Sequence, residues 1–250
     1  MPLRVCVAGV TGWTGSAVAE AVDAADDLEL VAGVSRSDPD SFSTVAEALD
    51  AEPAGVLVDY TSAAAVKGNV LAALDRRVAV VVGSSGLSAA DYAEIDARAR
   101  EQGVGVIAAG NFSLTAALLL RFATEAAHHL ASWEVLDYAS FDKPDAPSGT
   151  ARELAERLNA VAPPTVAVPV EETLGAREAR GATVGTTQVH SVRLPSFSVS
   201  TEIVFGGEDE RLSIRHDAGS TPAPYVAGTL LAIRAAPNRV GVIRGLDQLV

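Results

Sequence analysis

The chain has 250 residues, of which 48% are apolar and 20% are charged, and its formal charge is −13. A chain of this length and composition buries a full core in one large domain or two small ones. The acidic balance argues against nucleic acid and anionic membranes as partners, and no apolar run approaches the ~20 residues that cross a bilayer.

The first predicted strand is the apolar run 3–8, which Gly9 ends and a helical stretch over 16–22 follows. This run contains Cys6, the single cysteine, which has no partner for a disulfide or a thiolate metal site. We therefore predict a buried strand residue, a reducing cytoplasmic location and no metal. The chain start lacks the charged and apolar pattern of a secretion signal.

Apolar runs continue to alternate with helical stretches as far as residue 109. Further strands are predicted at 28–34, 55–60, 78–82 and 104–109, and further helices at 63–74 and 89–101. This β–α alternation predicts an α/β fold with a doubly wound parallel sheet of Rossmann type.

The pattern changes after Asn111. A long helix is predicted to Ala131, and a strand at 133–138, a helix ending near Leu158, three strands at 188–193, 198–205 and 211–216, and a helix at 224–235 follow. The strands predict a second, α+β domain with an open mixed sheet. We assign residues 1–110 plus 219–250 to a dinucleotide-binding domain, and residues 111–218 to substrate binding and oligomerisation.

Gly9, Gly12 and Gly15 form G-x-x-G-x-x-G, a variant of the dinucleotide fingerprint, between the first strand and the first helix. Glycines there permit a tight turn and close backbone approach, and the helix N-terminus faces the pyrophosphate. After the second strand, Ser35 and Arg36 stand where NAD-selective domains have an acid, which favours NADPH over NADH. A solvated surface arginine is the alternative for Arg36.

Polar turns also end other strands, at Asp59-Tyr60-Thr61, Gly83-Ser84-Ser85-Gly86 and Ala109-Gly110-Asn111-Phe112-Ser113. Ligands of such sheets bind beyond the carboxyl ends of the strands. Gly83 to Gly86 would let the main chain approach the nicotinamide ribose, and Phe112 would cover the nicotinamide. Ordinary βα loops explain each turn equally well.

Lys143 lies five residues before Ser148-Gly149-Thr150, which opens a helix. Unpaired N–H groups at a helix N-terminus bind anions, and the ammonium adds a charge and a transferable proton. Lys67 and Lys143 are the only lysines, so a lysine here favours chemistry that a guanidinium cannot perform. A capped helix after a proline-rich turn is the alternative interpretation.

Together these segments resemble the 4-hydroxy-tetrahydrodipicolinate (dihydrodipicolinate) reductase family over nearly the whole chain. Besides the three glycines and the polar turns, the resemblance rests on Lys143 through Ala151, Val192-Arg193 and Ile214-Arg215-His216. It implies an NAD(P)H-dependent reductase of the diaminopimelate and lysine pathway, which transfers hydride to a cyclic imine or unsaturated cyclic carboxylate. It also implies a homotetramer built by the second domain's sheet.

The resemblance implies specific site residues. Lys143 would be catalytic. Substrate-binding residues would be Ser140, Lys143, Ser148, Gly149 and Thr150. Cofactor-binding residues would be Gly9, Thr11, Gly12, Trp13, Thr14, Ser35, Arg36, Gly83, Ser84, Ser85, Ala109, Asn111 and Phe112.

The chain departs from the family pattern E-x-H-H-x-x-K-x-D-A-P-S-G-T-A, because Ala139 and Ser140 stand at the two histidine positions. In the family this pair serves as acid/base and as substrate ligand, and neither replacement titrates near neutral pH. A further family histidine is replaced around Ser200. Tyr138, Ser140 and Asp142 are candidates to replace the imidazole, although each is expected to be only a pocket wall.

Besides the family's own reaction, the departure leaves two alternatives, a member repurposed for a different imine and a non-catalytic nucleotide-binding paralogue. The first domain alone would also fit an NADP-dependent sugar or ketone oxidoreductase. This last class should lack a lysine beside an anion site. The neighbouring His128 and His129 lie outside the motif and are interpreted as helix-end residues.

Overall fold

The computed structural model describes residues 1–250, which form two compact units, residues 1–114 with 222–250 and residues 115–221. In chain order the elements are β1 (Leu3–Ala8), α1 (Trp13–Asp23), β2 (Leu28–Val34), α2 (Val45–Ala51), β3 (Val56–Asp59), α3 (Val66–Leu74), β4 (Ala79–Val82), α4 (Ala89–Gln102), β5 (Gly105–Ala108), α5 (Leu114–Ala127), β6 (Ser132–Ala139), α6 (Gly149–Val161), β7 (Ala182–Val184), β8 (Thr187–Arg193), β9 (Val199–Gly207), β10 (Glu210–Ala218), α7 (Ala223–Ala235) and β11 (Gly241–Arg244). Single turns of 3₁₀ helix lie at Val170–Glu172, Arg177–Arg180, Ala236–Asn238 and Leu246–Leu249.

The first unit is built on a six-stranded parallel sheet with the strand order β11-β5-β4-β3-β1-β2. Every residue of β3, β4 and β5 is buried, as expected for central parallel strands covered by helices on both faces. The predicted Rossmann-type α/β fold is therefore confirmed. Because the strands are parallel, the turns after β1, β2, β3, β4 and β5 lie at one edge of the sheet.

The second unit is built on a five-stranded mixed sheet with the order β10-β9-β6-β8-β7. Only β6 and β8 pair in parallel, and the other neighbours are antiparallel. Side chains of β6 alternate between buried and half-buried positions, so one face packs against the helices and the other lies open within the unit. The predicted second sheet, open and mixed, is also confirmed.

Three short elements, α2, β7 and β11, were not predicted from the sequence. Each has seven residues or fewer, too few to establish a hydrophobic period, and β7 and β11 form only by pairing with β8 and β5.

The α5 helix is shorter than predicted and ends at Ala127 instead of Ala131. The N–H groups of His128 and His129 donate to carbonyls three residues back, at Glu125 and Ala126, which tightens the last turn and ends the helix. No helix of the protein has both the length and the apolar character needed to cross a membrane.

Candidate active site

The glycine turn after β1 tolerates only glycine at two of its positions. Gly9 has φ +83°, and a Cβ there would lie 2.1 Å from the Tyr60 carbonyl oxygen. A Cβ on Gly15 would lie 2.0 Å from the Gly9 carbonyl oxygen. Gly12 caps α1 without a side chain, so the first N–H groups of the helix face outward from a turn that no Cβ fills. This turn fits a dinucleotide pyrophosphate.

A cluster of hydroxyl groups lies beside this turn, at the end of β2. The Oγ of Ser35 is 2.8 Å from Thr11 Oγ1 and 3.1 Å from Ser37 Oγ. The Arg36 side chain between them is exposed and forms no ion pair. The cluster itself contains no carboxylate. The nearby Asp38 is bonded elsewhere, since it accepts hydrogen bonds from Ser41 Oγ and from the Asp40 amide. Sequence reasoning found Thr11, Ser35 and Arg36 but missed Ser37.

Trp13 is the first residue of α1, and 57% of it is exposed. Its ring meets Tyr225 of α7 edge-on, with centroids 5.9 Å apart. Thr14 follows it and is half-buried. The structure therefore holds a partly fixed aromatic surface at the N-terminus of α1.

The turns after β3 and β4 are joined by Asp59, which is fully buried. Its Oδ1 accepts hydrogen bonds from Ser84 Oγ at 2.5 Å and Thr61 Oγ1 at 2.8 Å, and its Oδ2 accepts one from Asn69 at 2.8 Å. The Ser84 hydroxyl also accepts from the Thr61 amide. The Ser84 hydroxyl, which was predicted to contact the cofactor, thus links the turns after β3 and β4. The neighbouring Ser85 is exposed.

Tyr60 explains the glycine after β4. A Cβ on Gly83 would lie 2.1 Å from the Tyr60 ring, and the phenol oxygen lies 2.7 Å from Thr229 Oγ1 on α7. Burial raises the pKa of this phenol well above its ordinary value. Gly83 is therefore required by packing, whether or not a ligand approaches it.

The turn after β5 contains the half-buried Ala109 and Asn111, and the Asn111 side chain accepts a hydrogen bond from the Ser113 amide at 2.8 Å. The Phe112 ring is only 2% exposed and packs edge-on against Tyr60 with centroids 6.1 Å apart. The ring that was expected to cover the nicotinamide is therefore buried against Tyr60. A cofactor contact by the main chain of Phe112 stays a prediction.

In the second unit, the loop between β6 and α6 contains Lys143, whose Nζ lies 2.7 Å from Asp145 Oδ1. The loop turns tightly, since the Lys143 amide donates to the Ser140 carbonyl. Burial acts to raise the pKa of Asp145, but the Lys143 ammonium holds it below its ordinary value. Lys143 is half-buried, so its ammonium is positioned and still reachable.

The α6 helix begins immediately after this loop. Ser148 is its N-cap, and the Ser148 Oγ accepts from the Ala151 amide at 3.3 Å. Gly149 is exposed, with open space where a Cβ would lie, and Thr150 is half-buried. The structure thus brings Lys143, Ser148, Gly149 and Thr150 into one loop and helix start, an arrangement that suits a carboxylate.

The two positions that carry histidine in the family pattern lie at the end of β6. Ala139 is fully buried, and Ser140 is half-buried with its amide donating to the Ser198 carbonyl. Ser200 pairs opposite Tyr138, whereas the β9 residue opposite Asp137 is Thr201. Both Ser200 and Thr201 are buried, and the replacement of a later family histidine around Ser200 stays a prediction.

The histidines form their hydrogen bonds and ion pairs with residues outside the Lys143 loop. His128 and His129 are exposed after α5, and His190 Nε2 lies 2.8 Å from Glu134 Oε2. His216 is buried, with Nδ1 3.0 Å from Thr115 Oγ1, and burial lowers its pKa. The cations that contact the loop are therefore Lys143 itself and Arg193, whose NH2 donates to the Asp145 carbonyl.

Sequence reasoning also missed Asp137 as part of this site. It is fully buried in β6, and its Oδ2 accepts hydrogen bonds from the Ser148 amide, Ser191 and Arg193. The available signal was an acid on the buried face of β6, next to Val135 and Ala139.

Comparison with known proteins places this geometry in context. The family domain "Dihydrodipicolinate reductase, N-terminus" matches residues 3–112, and "Dihydrodipicolinate reductase, C-terminus" matches residues 115–249. A 4-hydroxy-tetrahydrodipicolinate reductase of Moorella thermoacetica is 36% identical, and one of Syntrophomonas wolfei is 33% identical; each match covers 99% of this chain and 98% of the relative. A dipicolinate-bound dihydrodipicolinate reductase from Paenisporosarcina superposes with a TM-score of 0.87 at 26% identity, covering 100% of both chains.

Proposed function

The chain belongs to the dihydrodipicolinate reductase family of NAD(P)H-dependent oxidoreductases, and from that premise we propose that it reduces a cyclic imine that carries a carboxylate. The observation that carries this proposal is the Lys143 ammonium beside the N-terminus of α6. Its relative from Paenisporosarcina was solved with dipicolinate, an aromatic ring bearing carboxylates. A ligand of that class matches a cation and helix amides in one loop.

Gly149 and Thr150 would hold the substrate carboxylate through the first N–H groups of α6. Lys143 would supply the positive charge that attracts it and the proton that the reduced product needs. An ammonium transfers a proton at accessible pH, whereas a guanidinium keeps its own. Asp145 holds the ammonium in place before substrate arrives, because its Oδ1 lies 2.7 Å from Lys143 Nζ.

When bound, the reduced nicotinamide supplies a hydride to the imine carbon. The C=N π electrons pass to nitrogen, which takes the Lys143 proton, so imine plus one proton and one hydride gives the amine. Lys143 then regains a proton from solvent. The protein contributes alignment of the reactants and stabilisation of charge. The absence of the family's histidine pair would therefore lower the rate without abolishing the reaction.

We propose NADPH as the preferred cofactor. The glycine turn accepts a pyrophosphate, and Thr11, Ser35 and Ser37 offer hydroxyl groups where an NAD-selective protein has an acid. The exposed Arg36 adds a free positive charge beside them. A 2′-phosphate suits this group of donors better than a bare ribose does.

The substrate itself is either 4-hydroxy-tetrahydrodipicolinate or a related cyclic imine. The Lys143 loop and the α6 N-terminus support the first, whereas Ala139 and Ser140 in place of the histidine pair support the second. We also propose a homotetramer built through the second unit's sheet, and a cytoplasmic location. Burial raises the pKa of the single Cys6 thiol to about 12, which fits a protein that uses no disulfide.

The test mixes the protein with NADPH and freshly generated 4-hydroxy-tetrahydrodipicolinate and follows the loss of absorbance of NADPH. We expect steady oxidation, reduced by ~10²–10⁴-fold in Lys143→Ala because both charge and proton are lost. Lys67→Ala is the matched control, since the only other lysine pairs with Asp91 and Glu94 on α4. It should retain full activity.

Two other results would redirect the proposal. Oxidation only with another cyclic imine indicates a repurposed member. If the protein binds NADPH but oxidises it with no cyclic imine carboxylate, the reductase proposal is contradicted. The nucleotide-binding paralogue is then favoured, in agreement with the absence of the family's histidine pair.

A further inference from the structure

We propose that Asp137 and Arg193 are positioning residues of this site, a buried ion pair that holds the Lys143 loop and the first turn of α6 in place. The inference rests on the proposed reductase function, because it assigns a role within the same site. Neither residue belongs to the expected catalytic or substrate-binding groups.

Asp137 joins three segments of the second unit through one oxygen. Its Oδ2 accepts hydrogen bonds from the Ser148 amide at 2.9 Å, Ser191 Oγ at 3.0 Å and Arg193 NH2 at 2.8 Å. The carboxylate therefore binds β8 and the N-cap of α6 to the centre of the sheet. The bond to the Ser148 amide fixes where α6 starts, and so where the amides of Gly149 and Thr150 point.

Arg193 extends this connection to the loop. The same NH2 group donates to the Asp145 carbonyl at 2.7 Å, and NH1 donates to the Val192 carbonyl at 3.0 Å. Asp145 in turn holds the Lys143 ammonium at 2.7 Å. A continuous series of contacts thus runs from Asp137 through Arg193 and Asp145 to the proposed proton donor.

The strand register explains how the arginine reaches the acid. Ser191 pairs opposite Asp137, and Arg193 pairs opposite Ala139, one step farther along the same face. Ala139 carries only a methyl group, so the guanidinium can lie across it toward Asp137.

The pair serves placement better than it serves stability. Asp137 is fully buried and the Arg193 side chain is only 17% exposed, yet Asp137 Oδ1 and Arg193 Nε have no hydrogen-bond partner in the protein. Burying two charges with unused bonding capacity costs free energy that an apolar pair would not cost. Because the two charges cancel, the pair fixes the loop without repelling an anionic substrate.

The test compares Asp137→Asn with the double variant Asp137→Leu/Arg193→Met. For Asp137→Asn we expect faster amide hydrogen exchange over residues 145–151 and a roughly 100-fold loss of kcat/KM, mostly as increased KM, because a displaced anchor misplaces the substrate. The dissociation constant of NADPH should change less than about twofold, since a local loss leaves the first unit intact. Asp217→Asn, which breaks the exposed pair with Arg215, is the matched control and should change none of these quantities.

The double variant separates placement from stability. It buries no lone charge, so its Tm should recover toward wild type while kcat/KM stays low and exchange stays fast. Recovery of kcat/KM together with Tm overturns the proposal, and so does unchanged exchange and KM in Asp137→Asn. If Asp137→Asn does not fold, the double variant alone decides. An inactive wild type contradicts the reductase function, and the exchange measurement still decides the positioning role.

Discussion

Lys143 and Asp145 illustrate how single residues prepare this site. Their ion pair at 2.7 Å is partly exposed, so it contributes at most about 1 kcal/mol to folding. A substrate carboxylate can compete with Asp145 for the ammonium at small cost. We therefore expect Asp145 to hold Lys143 in position in the free protein and to be displaced from it when a substrate carboxylate binds.

Arg36 carries the prediction at the residue scale. Arg36→Ala should raise the KM for NADPH about tenfold or more and leave the KM for NADH unchanged, because one charge-assisted hydrogen bond to the 2′-phosphate is lost. Ser35→Glu should go further and reverse the preference. Steady-state kinetics with both cofactors measures this, and Arg76→Ala, an arginine paired with Asp50, serves as control. Equal changes for both cofactors would contradict the assignment.

At the scale of elements, the two faces of the mixed sheet in the second unit have different roles. One face of β6 carries the buried Trp133, Val135 and Asp137 toward the helices, and the other carries Glu134 and Leu136 on the open side. The site is attached to the buried face. We propose that this open face forms the subunit interface of the proposed homotetramer.

Leu136→Asp tests that assignment. A carboxylate on the open face would have to be buried in the assembly, so we expect a mass below four times the monomer mass in light scattering. Ala90→Asp adds the same charge at an exposed position of α4 and should leave the mass unchanged. A tetramer in both variants would place the interface elsewhere.

For the whole molecule, titratable groups set how stability depends on pH. Burial lowers the pKa of His216 below its ordinary 6.5, so the unfolded chain binds this proton more readily and stability falls as pH drops through 6.5. Arginine partners lower the pKa of Asp27 and Asp50 below their ordinary 3.8. The contribution of these two ion pairs to folding stability is complete above pH 3.8 and is lost as the pH falls below that value.

We therefore expect Tm to be level from pH 8 to 7, to decline as the pH falls below 6.5, and to fall again below pH 3.8. His216→Gln should remove the first decline and keep the second, because glutamine does not titrate. Thermal unfolding of the wild type and of His216→Gln across this pH range measures both declines. Parallel Tm curves for the two proteins would show that His216 does not cause the first decline.

The amino-acid sequence by itself determined the two sheets, the nucleotide turn and the lysine loop. The apolar runs of β1 to β5 are short, dense and separated by helical stretches, and Gly9 and Gly15 stand where only glycine fits. These signals lie within short stretches of the chain, so they can be recognised in the sequence without the structure. The Lys143 to Ala151 segment is equally local, and it identified the family.

Only the tertiary structure decided which polar groups meet. Asp137 and Arg193 lie 56 residues apart, and Thr11 and Ser35 lie 24 residues apart, so neither pair is visible in a local pattern. The burial of Phe112 and the commitment of Ser84 to Asp59 likewise depend on neighbouring strands. Strand pairing and packing bring such residues together, because they join segments that are far apart in the sequence.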